Sequence, residues 1–152
     1  MYWTDWGTSP KIERAGMNGA YRETIIDKSK VNIHWPNGLT IDYHSDMLYW
    51  VDARYHLLAT CDFNGERYRT ILQDETALMH PFHISVFQDE VYWTDWDAYS
   101  VRRVNKFTGE GVTDVVGSLV RGTPNGLHIW HPSKQPEGEC VILQASFFWN
   151  IS

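Results

Sequence analysis

Cysteine and basic residues are scarce in this chain of 152 residues, and it has no long apolar run. Two cysteines, Cys61 and Cys140, are too few for a disulfide framework, and their spacing matches no zinc motif. Thirteen Lys and Arg against nineteen Asp and Glu give a formal charge of −6, which provides no clustered positive surface for nucleic acid. No stretch approaches the roughly 20 apolar residues of a membrane helix. We therefore expect no nucleic-acid partner, no metal, no cofactor and no direct membrane contact within these residues.

A signal peptide and a sustained helical period are missing too. Aromatic residues are abundant instead, with eight Trp and eight Tyr in a chain that is 43% apolar. Such a composition favours a packed core over disorder. Because a strand motif begins at Tyr2, we expect the sequence to be part of a longer protein.

A four-residue motif repeats three times. It reads YWTD at residues 2–5, YWVD at 49–52 and YWTD at 92–95. Two further elements recur in step with it: a segment containing proline at 35–40, 80–85 and 123–128, and a glycine turn at 18–19, 64–65 and 108–109. Repeats of about 40–50 residues, each with several short strands, are typical of propeller blades.

The repeats predict an all-β propeller with full blades at 36–74 and 81–117. Strands of another blade are expected at 1–28, and one more strand at 124–131. The Asn-Gly pairs predict tight hairpins in which both turn residues have positive φ. The tail at 137–152 leaves the repeat pattern, and we expect it to be poorly ordered.

Strand geometry gives the motif a structural role. Side chains alternate along a strand, so Tyr49 and Val51 share one face while Trp50 and Asp52 share the other. Both faces of a blade are packed by its neighbours, and a buried carboxylate there needs backbone N–H partners. We therefore interpret the motif aspartates as structural, and we predict no catalytic residues. Cys61 falls within a strand pattern and is expected to be a buried free thiol.

The repeat segments resemble a known receptor family. YWTDWGTSPKIERAGMNG, WPNGLTIDYHSDMLYWVDA, HPFHISVFQDEVYWTDW and NKFTGEGVTDVV are similar to the YWTD propeller (class B repeats) of the low-density lipoprotein receptor family. The resemblance extends over residues 1–136 and implies a six-bladed ring, of which about three blades are represented here. An incomplete ring exposes apolar blade faces, so we expect self-association through them.

The resemblance also implies a location and a function. It indicates an extracellular, protein-binding module of an endocytic or Wnt co-receptor type, in the ectodomain of a single-pass receptor. NIHWPNG, ARYHLLA and LMHPFHI are similar to segments that take part in acid-triggered ligand release in the lipoprotein receptor. This implies ligand-binding roles for Trp35, His56 and His80. The implied partners are protein ligands or the parent receptor's own acidic ligand-binding repeats.

Two alternatives stay open at the level of sequence. Lactonase-like propeller enzymes also use Pro-Asn-Gly segments, in which Asn37 and Asn125 would bind calcium. Calcium prefers six to eight oxygen ligands, and the sequence offers no converging carboxylates beside these two residues. The other alternative is a structural spacer. Arginines in the outer strands are interspersed with acids, which predicts a solvated, salt-bridged edge.

Overall fold

The computed structural model describes residues 1–117 and 122–132, and within them every regular element is a β-strand of one of three antiparallel sheets. The first sheet contains β1 (Tyr2–Asp5), β2 (Lys11–Arg14) and β3 (Glu23–Asp27). The second contains β4 (Pro36–Asp42), β5 (Met47–Asp52), β6 (Leu57–Asp62) and β7 (Arg69–Gln73). The third contains β8 (Pro81–Phe87), β9 (Glu90–Asp95), β10 (Ser100–Asn105) and β11 (Thr113–Val116). The all-β propeller architecture is confirmed, and the described residues form three of its sheets. Cys140 and the tail at 137–152 lie outside the described residues.

The second sheet is packed on both faces. Tyr49 and Val51 lie in one apolar cluster with Trp93 of the third sheet. Trp50 lies in a second cluster with Ile12 of the first sheet. Alternation along β5 therefore divides the motif between two interfaces, as the sequence predicts. The two clusters form the core between the sheets.

The hairpin between β6 and β7 differs from the predicted turn. Gly65 has φ +79°, but Asn64 does not have a positive φ. The Asp62 carboxylate accepts hydrogen bonds from the backbone N–H groups of Asn64 and Glu66, and Glu66 O accepts one from the N–H of Asp62. An aspartate that bonds the following backbone favours a wider turn with a single left-handed residue. The expectation that Asn64 and Gly65 both have positive φ was wrong; the second positive φ of this hairpin lies at Arg67, at +53°.

Glycine in these turns allows close contact between sheets. A Cβ added at Gly65 would lie 2.2 Å from the carbonyl oxygen of Ile25, and one at Gly109 would lie 2.1 Å from that of Ile71. We call the turns at 63–65 and 107–109 knobs. Each knob therefore packs against the outer strand of the preceding sheet, where a side chain at the glycine position would not fit.

An arginine fixes each knob in place. Arg14 Nη1 donates to the carbonyl oxygen of Phe63 at 2.7 Å, and Arg69 Nη1 donates to that of Phe107 at 2.6 Å. We call each arginine, together with the isoleucine beneath the glycine, a socket: Arg14 with Ile25, and Arg69 with Ile71. These two arginines connect sheets, so the predicted solvated edge is only part of their role. The sequence does not reveal this because the acceptors are backbone atoms 49 and 38 residues away.

The inner strands are also joined. Thr4 Oγ1 donates to the carbonyl oxygen of Asn37, and Thr94 Oγ1 donates to that of Asn125. The second sheet has Val51 at the threonine position, and here the Asn37 amide donates to the Pro81 carbonyl at 3.0 Å.

A strand was expected at 124–131, but no regular strand is formed there. An innermost strand pairs with the second strand of its own blade, and no such strand is present among the described residues.

One buried ion pair joins the second and third sheets. Lys106 Nζ donates to Asp42 Oδ2 at 2.8 Å, and both side chains are almost fully buried. Burial would raise the pKa of Asp42, but hydrogen bonds from Lys106 and Ser45 outweigh it and leave the pKa below its ordinary value.

Cys61 is a buried free thiol, as predicted, and burial raises its pKa to about 12. It is therefore an unreactive core residue.

Candidate protein-binding rim

The aspartate that ends β5 organises the loops at one end of the second sheet. Asp52 Oδ2 accepts hydrogen bonds from the backbone N–H groups of His34 and Trp35, at 2.6 and 3.1 Å. Its Oδ1 accepts from Arg54 and Tyr55, at 2.9 and 3.1 Å. Four N–H groups offset the desolvation of this buried carboxylate. The motif aspartate thereby holds the link before β4 against the link after β5, which is a structural role.

Trp35 lies in an aromatic group on this end. Its side chain is beside His34 with ring centroids 5.7 Å apart, and His34 also meets the Tyr55 ring edge-on at 6.2 Å. Trp35 remains 38% exposed. A partly exposed tryptophan held by packed neighbours presents apolar area at little cost in conformational entropy, which suits a protein contact.

His56 connects the second and third sheets at the same end. It has φ +50°, and its Nδ1 lies 2.6 Å from the carbonyl oxygen of Leu78. The N–H of Asp74 donates to the carbonyl oxygen of His56. Since Leu78 stands two residues before His80, His56 is bonded to the link that carries His80. The ring is half-buried, so part of it faces solvent.

His80 belongs to a second aromatic group. Its N–H donates to Asp95 Oδ1 at 3.0 Å, in the same way that Asp52 anchors the link before β4. The imidazole stacks on Trp96 with ring centroids 5.1 Å apart, and its Nδ1 lies 3.8 Å from Asp97 Oδ2. Phe82 stacks on Trp96 as well, at 4.3 Å. His80 is thus held between an aromatic ring and a carboxylate.

We call the surface formed by Trp35, His56 and His80, with the rings beside them, the rim. All three residues lie on links at one end of the sheets, as the strand directions predict. Trp96 and Asp97 were missed by sequence reasoning, although their position directly after the third YWTD motif was a usable signal. Their importance depends on the stacking of His80, which no spacing rule reveals.

A concave surface lies along the inner strands β4 and β8. Residues of β4 and β8, together with Leu127 and His128, surround a cavity of about 830 Å³. His83 lies in this wall, and its Nδ1 accepts a hydrogen bond from the Leu127 N–H at 3.2 Å. Burial, together with the neighbouring His128, lowers the pKa of His83. Neutral His83 therefore holds the segment after β11 against the third sheet.

The two asparagines of the calcium-enzyme alternative both make contacts within the protein. The Asn37 amide is bonded to Pro81, and the Asn125 carbonyl accepts from Thr94. Across residues 1–117 and 122–132, no three His, Cys, Asp or Glu side chains gather where they could hold a metal ion. The same residues include no helix able to cross a membrane.

Comparison with known proteins places these features in a family. Residues 1–43 match the model of the low-density lipoprotein receptor repeat class B. The chain is similar to YWTD propeller proteins of the low-density lipoprotein receptor family. It is 39% identical over 136 residues to the vitellogenin receptor Yl of Drosophila melanogaster and 35% identical over 136 residues to the vitellogenin receptor of Solenopsis invicta. These alignments cover 90% of the chain but only 6% and 7% of the two receptors.

Solved structures agree with this fold. A chain in the crystal structure of a nidogen/laminin complex is 31% identical, with a TM-score of 0.65, over 75% of this chain and 40% of that chain. A luciferin-regenerating enzyme (13% identical, TM-score 0.59) covers 72% of this chain with 36% of its own, and a Staphylococcus aureus virginiamycin B lyase (18%, 0.56) covers 76% with 37%. At such identities the two enzymes show a common fold and nothing about activity.

Proposed function

We propose that this chain is a non-enzymatic, extracellular protein-binding module of an endocytic receptor, and that the rim is its binding surface. The observation that carries the proposal is that Trp35, His56 and His80 lie on links at one end of the sheets, where hydrogen bonds to Asp52 and Asp95 hold the links in place. Aromatic anchors on a preorganised surface are the features that dominate protein interfaces. The receptor names of the similar curated proteins support the same class of function.

The ligand we propose is an acidic protein segment, such as the calcium-binding repeats of the same receptor class. A neutral imidazole becomes cationic between neutral pH and about pH 5. The rim carries two imidazoles, those of His56 and His80, and the Trp35 ring supplies apolar contact. Binding of the receptor's own acidic repeats at low pH would compete with a bound cargo, and this would aid acid-triggered release.

The test is a double substitution, His56→Ala with His80→Ala. Binding of calcium-loaded acidic repeats is measured by titration calorimetry at about pH 5 and about pH 7. The folded wild-type chain should bind at least about tenfold more tightly at the lower pH, which is about 1.4 kcal/mol. The double variant should lose most of that difference.

A matched control uses two exposed histidines away from the rim, in the double variant His44→Ala with His131→Ala. It should keep the pH dependence of the wild type. An unchanged pH dependence in the rim variant would contradict the proposal. If the folded wild-type chain binds at neither pH, the spacer function is favoured instead.

A further inference from the structure

A polar groove lies between the first and second sheets. It is a cavity of about 390 Å³, formed by the link from β3 to β4 on one side and by β6, β7 and the residues beside them on the other. Both sides are described, so the groove does not depend on an uncovered sheet face. The charged residues of its lining are Lys28 and Lys30, and no Asp or Glu is among the described residues that line it.

The link that carries the two lysines is fixed by Asp27. The backbone N–H groups of Lys30 and Val31 each donate to the Asp27 carbonyl oxygen at 3.1 Å. The Asp27 carboxylate accepts hydrogen bonds from the N–H and the hydroxyl of Ser29, at 2.9 and 2.6 Å. These bonds determine where the lysine side chains leave the backbone, and such preorganisation lowers the entropy cost of binding a ligand.

Both ammonium groups are available to a ligand. Lys30 Nζ lies 3.8 Å from Glu66 Oε1, in an exposed pair of the kind that contributes little to stability. The Glu66 side chain is 73% exposed, so it is free to turn away when another carboxylate approaches. Lys28 is exposed and forms no ion pair in the part of the chain that the structure describes. The groove therefore offers two positive charges.

The groove is continuous with the rim. The link from β3 to β4 carries Lys28 and Lys30 near its start and Trp35 at its end. Tyr55 lines the groove and is also the ring that His34 meets edge-on in the rim. A ligand that lies on Trp35 can therefore continue past Tyr55 into the groove without crossing another sheet.

We propose that the groove binds carboxylate side chains of the same acidic segment that we place on the rim, so this inference rests on the proposed function. Lys28 and Lys30 would pair with the carboxylates, and the Asn32 amide would bond the peptide backbone. Lysine keeps its charge from about pH 5 to about pH 8. The groove would therefore contribute an attraction that does not change across this range.

The lining of the groove favours a peptide over a sulfated sugar. Binding of a polyanion requires clustered Lys and Arg, and the groove has two lysines with Glu66 beside one of them. Val31 and Leu57 add apolar surface, and Asn32 adds an amide. Such a mixture suits a ligand that has both apolar and polar groups.

The test uses a fluorescently labelled oligoglutamate peptide at about pH 8, above the range in which an unperturbed imidazole titrates. By fluorescence anisotropy, the wild-type chain should bind the peptide. The double variant Lys28→Gln with Lys30→Gln should bind it at least about fivefold more weakly. Added salt should reduce this difference, because exposed charges are screened.

A matched control removes the same charge elsewhere. Lys11 and Arg103 lie outside the lining of the groove, so Lys11→Gln with Arg103→Gln should bind the peptide as the wild type does. The rim variant, His56→Ala with His80→Ala, should also bind it as the wild type does at this pH. Far-UV circular dichroism should be unchanged in both charge variants, because exposed ion pairs contribute little to stability.

Three results would overturn the proposal. They are equal binding by the wild type and the lysine variant, no binding by the folded wild type, and tighter binding of a heparin-derived oligosaccharide than of the peptide. The last would assign the groove to a sulfated sugar. Failure of the rim proposal is distinct: the rim variant would keep its pH dependence between about pH 5 and about pH 7, while the lysine variant would still lose peptide binding at about pH 8.

Discussion

The first and second sheets contain the same motif in different surroundings. In the second sheet, residues 49–52 are all buried, since a neighbouring sheet covers each face. In the first sheet, residues 2–5 are partly or fully exposed, and the Trp3 ring lies under the Arg22 guanidinium at 5.3 Å. The YWTD sequence therefore specifies a strand that can be buried on two sides. How much the motif stabilises the protein depends on the sheets that pack beside it.

The largest difference in stability is expected between substitutions of the two motif tryptophans, Trp50 and Trp3. Trp50 is fully buried, so Trp50→Ala should destabilise the protein by about 3–5 kcal/mol, through lost burial and the cavity left behind. Trp3→Ala in the first sheet should cost about 1 kcal/mol, mainly through the contact with Arg22. Urea unfolding, followed by tryptophan fluorescence and circular dichroism, measures both. Equal costs for the two substitutions would remove the distinction between the sheets.

The second-largest difference in stability is expected between two ion pairs that join sheets. Lys106→Met leaves Asp42 buried without its cation and should cost about 3 kcal/mol at neutral pH. Lys30→Met breaks the exposed pair of Lys30 with Glu66, whose charged atoms are 3.8 Å apart, and should cost less than about 0.5 kcal/mol. The free energies of unfolding of these two variants give the comparison directly.

The stability lost in Lys106→Met should become smaller as the pH falls. The pKa of folded Asp42 lies below its ordinary value of 3.8. Its contribution to stability is therefore complete above that ordinary value and is lost as pH falls through the folded pKa. The difference between the wild type and Lys106→Met should shrink at acid pH. A difference that stays constant from neutral pH to about pH 3 would show that the pair does not stabilise the charged form.

The knob glycines should give the smallest of these effects. Gly65→Ala and Gly111→Ala carry a similar conformational cost, about 1 kcal/mol, because φ is +79° and +77°. Only the Cβ at position 65 would collide with a neighbouring carbonyl, so it should cost about 2 kcal/mol more. Thermal unfolding of both variants measures this. Similar melting temperatures would mean that the knob contact is loose.

Repetition is what made the fold predictable. The motif at 49–52, its proline segment and its glycine turn recur in one order, and alternation alone divides Tyr49 and Trp50 between two faces. No regular strand forms at 124–131; this segment instead contacts the third sheet through single hydrogen bonds, such as that from the Leu127 N–H to His83. Local pattern predicts a strand's position, but pairing decides whether it forms.

The candidate site was less predictable. The rim positions of Trp35, His56 and His80 follow from strand direction, and their functional roles come from the family resemblance. The stacking of His80 on Trp96 and the bond from His56 to Leu78 depend on how one sheet is placed on the next. The same is true of the contact from Arg69 to Phe107. Contacts between sheets involve backbone carbonyl groups. Every residue has one, so the sequence does not show which of them accepts a hydrogen bond.

The central claim is that the motif builds the scaffold and the rim binds protein. Trp35→Ala tests it most directly, because Trp35 is exposed on the rim while its backbone N–H still bonds Asp52. We predict an unfolding temperature close to that of the wild type and binding to acidic calcium-loaded repeats at least about tenfold weaker at about pH 5. Unchanged binding by the folded variant would contradict the account.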